Sequence, residues 1–304
     1  MARERSFPEG TPGPEGTPGV DPRFPGSRGD RGSRILGAGT GGRSIAIAAT
    51  STLIVFGAVA VLVVTSPGWP SIRDAFFDGD VFAYSFPKIV RAFGVNAFMF
   101  LVAEALVLVL ALLVAVLRSL PGPVFLPFRI MAAIYTDVFR GVPTILVIFL
   151  LGFGAPALRL TGVPNSDLFW GIVALTLVYT AYVAEVYRAG IESVHPSQVA
   201  AARSLGLTRG RALRYVVLPQ AVRRVVPPLL NDFIGLQKDT ALVAALGSVV
   251  EGLRQAQIVQ ARFFDFTPFV ALALIYLVIT VPMTRFVDWL IERERRRRQG
   301  AVEL

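Results

Sequence analysis

A chain of 304 residues that is 54% hydrophobic, with a mean hydropathy of +0.60, is too apolar for a soluble domain of its size. Its formal charge of +9 and pI of about 10.6 could suit nucleic acid, but the arginines sit mainly beside long apolar blocks. That placement argues against a nucleic-acid partner and fits positive charge held on the cytoplasmic side of a lipid bilayer.

Met1–Arg43 is rich in Gly, Pro, Ser and Arg and has too few large apolar residues to offset the entropy of ordering, so a disordered cytoplasmic tail (1–43) is expected. Ile45–Val64 is long enough to span a bilayer outright, which makes it a first transmembrane helix and not a secretory signal. With the turn-rich, charge-balanced stretch Thr65–Arg91 it makes an additional N-terminal segment, 44–91. A second span is expected over Ala92–Leu117, carrying Asn96 and Glu104 and ending at Arg118. Pro121, Gly122, Pro123 and Pro127 mark a short internal loop. The third span, Ile130–Ala155, contains Gly141 and Pro143, and a proline there removes a backbone hydrogen bond, so a broken or steeply bent element is expected.

Arg159–Asp167 reads as a small external loop and Leu168–Ala184 as the fourth span. A basic cytoplasmic stretch follows, then a fifth span over Val225–Val250, an external segment Glu251–Asp265 and a sixth span over Phe266–Trp289. The chain closes on a basic tail, 290–304. The reading is an all-α polytopic membrane protein of about six helices. The flank before the first span, the Arg118 loop, the Arg188–Arg224 loop and the Arg293–Arg298 tail fall on one side, which puts both termini in the cytoplasm.

The most patterned polar segment lies between the fourth and fifth spans. Ser197 and Pro196 can start a helix, Gln198–Leu205 is alanine-rich, and Gly206 suits the left-handed residue that ends it. Thr208 can cap a second short helix through Val217, stopped near Pro219. Two turns of alanine are marginal in water, so packing must supply the order. The competing reading is an amphipathic helix lying on lipid, although neither face of Gln198–Leu205 is strongly apolar.

The order Ala201-Ala202, Gly206 and Val216-x-Leu218-Pro219 resembles the EAA loop of ABC importer permeases. More narrowly, the chain is similar to the polar amino-acid uptake permeases of the histidine/glutamine/glutamate type. The likeness rests also on Phe139–Pro143, Ala181–Ile191, Leu218–Ala221, Pro227–Leu229 and Gly235–Leu242, and it spans roughly Ala92–Trp289. The resemblance implies a five-helix type I permease core (92–289). It implies two permease subunits, identical or not, two ATPase subunits, and an extracytoplasmic amino-acid-binding protein, all in a bacterial cell membrane. It also implies that Gln198, Ala200, Ala201, Ala202, Ser204, Leu205, Gly206 and Leu207 form the ATPase-coupling loop. One departure stands out: the glutamate of the family pattern falls on Ala200. Either Gln198 substitutes for it, or a second, non-identical permease supplies the stronger contact.

Charged groups inside hydrocarbon are costly and should face protein or water, so Asn96, Glu104, Asp232, Lys238 and Asp239 are candidates for a substrate path. Lys238 and Asp239 could recognise the carboxylate and ammonium of an amino acid, or simply fix helix packing. Asn96 and Asp232 could equally serve interhelical hydrogen bonds. Glu185 and Arg188, at i, i+3, are explained by a local ion pair.

A membrane enzyme is disfavoured. The chain has no Cys, only one His (His195), and no nucleophile or metal motif, so no metal or cofactor is expected on it. There is no phosphate-binding loop either, which assigns ATP hydrolysis to a separate chain. A secondary transporter or channel is the alternative transport class, but no repeated halves are visible.

Overall fold

The structure, a computed structural model, describes residues 42–120, 122–159 and 161–300. The expected N-terminal tail therefore lies outside the described residues up to position 41. Among the described residues every regular element is a helix. The chain divides at Ser66 into two units.

The first unit contributes one described helix, α1 (Gly42–Val64), whose apolar stretch Ile45–Val64 is exposed on every side. Its hydroxyls fold back on the helix itself, Ser51 Oγ and Thr52 Oγ1 both donating to Ala48 O. That pairs these two hydroxyl hydrogens within the helix on an exposed apolar surface.

In the second unit α2 (Trp69–Phe76) is a short exposed helix, and α3 (Gly79–Ser119) follows after two residues. The stretch expected as a loop is thus mostly helical. Asp78 is the cause: its carboxylate accepts from Asp80 N at 2.8 Å and Val81 N at 2.9 Å and starts α3 thirteen residues before Ala92. At about 1.5 Å per residue, α3 is roughly 60 Å long, about twice the hydrocarbon thickness, more than one upright crossing needs. The buried stripe of α3 (Ile89, Phe93, Asn96, Met99, Ala103, Val107, Ala111, Ala115) recurs every three or four residues, and its Met99, Ala103, Val107 and Ala111 share a core with α6 (Asp167–Glu192).

The third expected span is broken, as its proline requires. After a 3-10 turn at Pro123–Phe125, α4 (Leu126–Gly141) and α5 (Thr144–Ala157) meet at 104°. Val142 between them is extended (φ −94°, ψ 131°), the conformation favoured before proline.

Helix α6 is the hub, buried on most sides by α3, α5 and α9 (Leu218–Asp239). Gly190 permits its closest approach to α9, since a Cβ there would stand 2.0 Å from Val225 Cγ2. The fifth expected span is α9 followed by a 3-10 turn, Thr240–Leu246. The segment expected as an external loop contains α10 (Gly252–Phe263), and α11 (Thr267–Gly300) carries the sixth span well into the basic tail. Length and apolarity single out α1, the Trp69–Ser119 stretch, α6 and α11 as spans, and α4 with α5 as one bent span. Helix α9, with Arg223, Arg224, Asp232 and Lys238, is less apolar and packs against α6 and α11.

Candidate functional site

The loop between α6 and α9 is built on a small apolar core of its own. Val194, Val217 and Ala221 are buried together, with Ile191 and Val199 against them. This core joins the end of α6, the short helix α7 (Pro196–Ser204) and the start of α9. The order that an isolated two-turn helix lacks is supplied here.

The caps differ from the sequence reading at one end and match it at the other. His195, not Ser197, is the N-cap: its Nδ1 accepts from Ser197 N at 3.2 Å and lies 2.7 Å from Ser197 Oγ. Pro196 occupies the first helical position, where a missing N–H costs nothing. At the other end Gly206 has φ +82°, Gly206 N donates to Arg203 O at 3.0 Å and Leu207 N donates to Ala202 O at 3.2 Å. This is a Schellman ending, and glycine is the residue it favours.

The second short helix is not stopped at Pro219. α8 (Arg209–Ala212) passes through a π-helical stretch, Leu213–Val217, straight into α9. Pro219 has no N–H and its ring crowds the preceding turn, and the wider π turn just before it makes room. Loop and span are therefore one continuous rod. Arg224 donates to Ser193 O at the end of α6, and Gln220 Nε2 donates to Gln198 Oε1 at 3.3 Å, so α9 also holds both ends of the connection into α7.

Of the residues expected in the loop, Ala202 is buried and Leu207 is partly covered. Gln198, Ala200, Ala201, Ser204, Leu205 and Gly206 face outward. Leu205 is 82% exposed at the tip. Next to the loop an ionic node joins three helices. Arg118 Nη1 (α3) donates to Glu185 Oε2 (α6) at 2.7 Å and to Thr136 Oγ1 (α4) at 3.0 Å, and Arg188 pairs with both Glu185 and Glu192. The expected local Glu185–Arg188 pair is present. Arg118, 67 residues away from Glu185, was not foreseeable from helix spacing.

The candidate path residues do not form one cluster. Asn96 is 1% exposed and committed: its Nδ2 donates to Glu251 Oε2 at 2.8 Å and Thr240 Oγ1 at 3.1 Å, and its Oδ1 accepts from Gly252 N at 2.8 Å. Glu251, fully buried, also accepts from Leu253 N and Arg254 N and caps α10. Burial pushes its carboxyl above the ordinary value, opposed by those donors. Glu251 had been read as part of an external loop, and glutamate is not a usual N-cap signal.

Lys238 is exposed, while Asp239 accepts from Tyr179 OH at 3.0 Å, and no ion pair between the two is present among the described residues. Asp232 leaves Oδ2 buried without a hydrogen-bond partner and lines a cavity of about 410 Å³ with Arg140, Tyr182, Glu185, Arg224 and Pro228. Glu104 is half-buried and forms no ion pair among the described residues. That cavity places acidic and basic groups on one wall-to-wall span between α4, α6 and α9, beside the ionic node.

The family of binding-protein-dependent transport system inner membrane components matches residues 108–296. The Bacillus subtilis (strain 168) "Probable glutamine ABC transporter permease protein GlnM" is 37% identical over 188 residues, 61% of this chain and 83% of the relative. The "Arginine transport system permease protein ArtQ" of the same strain is 32% identical over 210 residues, 68% of this chain and 92% of the relative. Among solved structures, an amino acid ABC transporter with histidines aligns at TM-score 0.65 and 30% identity, over 71% of this chain and 98% of that one. An inward-facing MetNI methionine ABC transporter shares the fold at TM-score 0.53 and 20% identity, over 67% of this chain and 95% of that one. The matched region holds the bent α4–α5 pair, the capped loop and the charged cavity, and it covers well over half the chain, which therefore belongs to the binding-protein-dependent transport system inner membrane components as a permease subunit.

Proposed function

We propose that this permease carries a polar or charged amino acid into the cytoplasm, driven by a separate ATPase that docks on α7 and its glycine corner. The observation that carries the reading is mechanical: α7 is capped at both ends and shares an apolar core with the start of α9, and the chain after its glycine corner runs unbroken from Arg209 into α9. A load applied at Leu205 is therefore passed to the helix that lines the charged cavity. The amino-acid substrate is supported by two features: glutamine and arginine permeases are among the relatives, and the cavity offers both signs of charge to a zwitterion. A second permease subunit completes the path, an extracytoplasmic binding protein delivers the substrate, and both termini lie in the cytoplasm with the arginine-rich segments.

Gly206→Pro tests the docking. It removes the left-handed corner and the N–H that closes α7. Hydrolysis of ATP by the assembled complex should stop responding to loaded binding protein while the complex still incorporates the permease. Undiminished stimulation would end the docking assignment.

A further inference from the structure

The docking loop has a peculiarity of charge. From Ser193 through Asn231 the sequence holds no aspartate or glutamate, yet it contains Arg203, Arg209, Arg211, Arg214, Arg223 and Arg224. The acidic residues just before it, Glu185 and Glu192, are already paired with Arg118 and Arg188. Arg224 is used on the end of α6. Arg203 and Arg211, on either side of the glycine corner, are exposed and make no ion pair among the described residues. Between them Leu205 projects, and Ala200 and Ala201 form a smooth neutral face.

Resting on the docking proposed above, we infer that the ATPase cleft receiving this loop is apolar at its floor, acidic at its rim, and without a cation opposite Ala200. The physical reason is complementarity: uncompensated like charge brought together in a desolvating contact is strongly unfavourable, so a cleft that accepts an all-cationic knob must supply carboxylates. Leu205 gives the contact its apolar centre and the arginines its rim, the usual anatomy of a protein interface. Lipid headgroups would also attract arginine, but a helix that lies on lipid needs a broad face of large apolar residues. The outward face of α7 offers Gln198, Ala200, Ala201 and Ser204 instead.

The deciding experiment compares Ala200→Glu with Ala200→Gln in the complete complex with its own ATPase and binding protein, reconstituted in nanodiscs. The two side chains match in size and differ in charge, and both suit a helix, so the permease should fold equally well with either. Binding-protein-stimulated ATP hydrolysis and retention of the ATPase should be about tenfold lower for glutamate than for glutamine, with the gap narrowing as salt is raised. Equal values, or a gain for glutamate, would overturn the inference by showing no acidic rim at that position. The double variant Arg203→Glu, Arg211→Glu should uncouple in neutral phosphatidylcholine as strongly as in anionic lipid. A loss seen only with anionic lipid would assign the arginines to headgroups and overturn it too. If Gly206→Pro uncouples while glutamate at position 200 is harmless, the charge inference alone fails. If neither variant has an effect, the docking itself fails.

Discussion

The Glu251 end and the Glu185 end of this protein solve the same problem, charge at a helix junction, in opposite ways. At the first, a single buried carboxylate, Glu251, accepts from Asn96, Leu253 and Arg254 and ties α3, the 3-10 turn and α10 together. No cation is involved in that brace. At the second, Glu185 sits in a node with Arg118 and Arg188, about a fifth to a quarter exposed, and Arg188 is shared with Glu192. A buried carboxylate held by neutral donors depends on every one of them, because each lost partner leaves a desolvated group unpaired. A partly hydrated node with two arginines tolerates the loss of one. The Glu251 brace is a fixed clamp, and the Glu185 node can reorganise beside the segment proposed to dock the ATPase.

Substitutions can break or sharpen that contrast. The largest effect is expected from Glu251→Ala, which leaves Asn96 Nδ2 with Thr240 alone and removes the acceptor of two backbone N–H groups around a fully buried side chain. The cost should be roughly 3 kcal/mol, read as a marked fall in the melting temperature of the purified permease. Asn96→Ala should not add its own full cost on top, because both residues belong to one network. Independent, additive losses would deny that the brace is a unit.

Arg118→Met should cost less, about 1 kcal/mol, because Arg188 still holds Glu185 and the partners are part-exposed. An equal fall in melting temperature for Arg118→Met and Glu251→Ala would erase the difference between the two ends. The smallest effect is expected for His195→Ala, which removes the N-cap of α7 at about 0.5–1 kcal/mol. It should appear as faster amide exchange confined to Pro196–Ser204, with the Glu251 brace unaffected.

Local pattern made much of the architecture legible. The apolar run Ile45–Val64, the break at Pro143 and the glycine corner at Gly206 each follow from the chemistry of one short segment. Recognition of the alanine-rich loop relied on the order of residues around Gly206, of which the structure exposes Ala200, Ala201, Ser204, Leu205 and Gly206 and buries Ala202. The misreadings were also local: Asp78 and Glu251 act as caps in stretches taken for loops, His195 displaces Ser197 as cap, and the π turn carries the chain through Pro219. In each case a side-chain hydrogen bond or a wider turn overrode the simpler signal.

The sequence by itself determined where this chain is apolar enough to enter a membrane and where its helices must bend, because those depend on composition and backbone chemistry within a few residues. Only the tertiary structure decided that Asn96 answers Glu251 across 155 residues, that Arg118 answers Glu185 across 67, and that Asp232 is left facing a cavity. A polar group in an apolar interior must find a partner somewhere, and which partner it finds is fixed by how the helices pack.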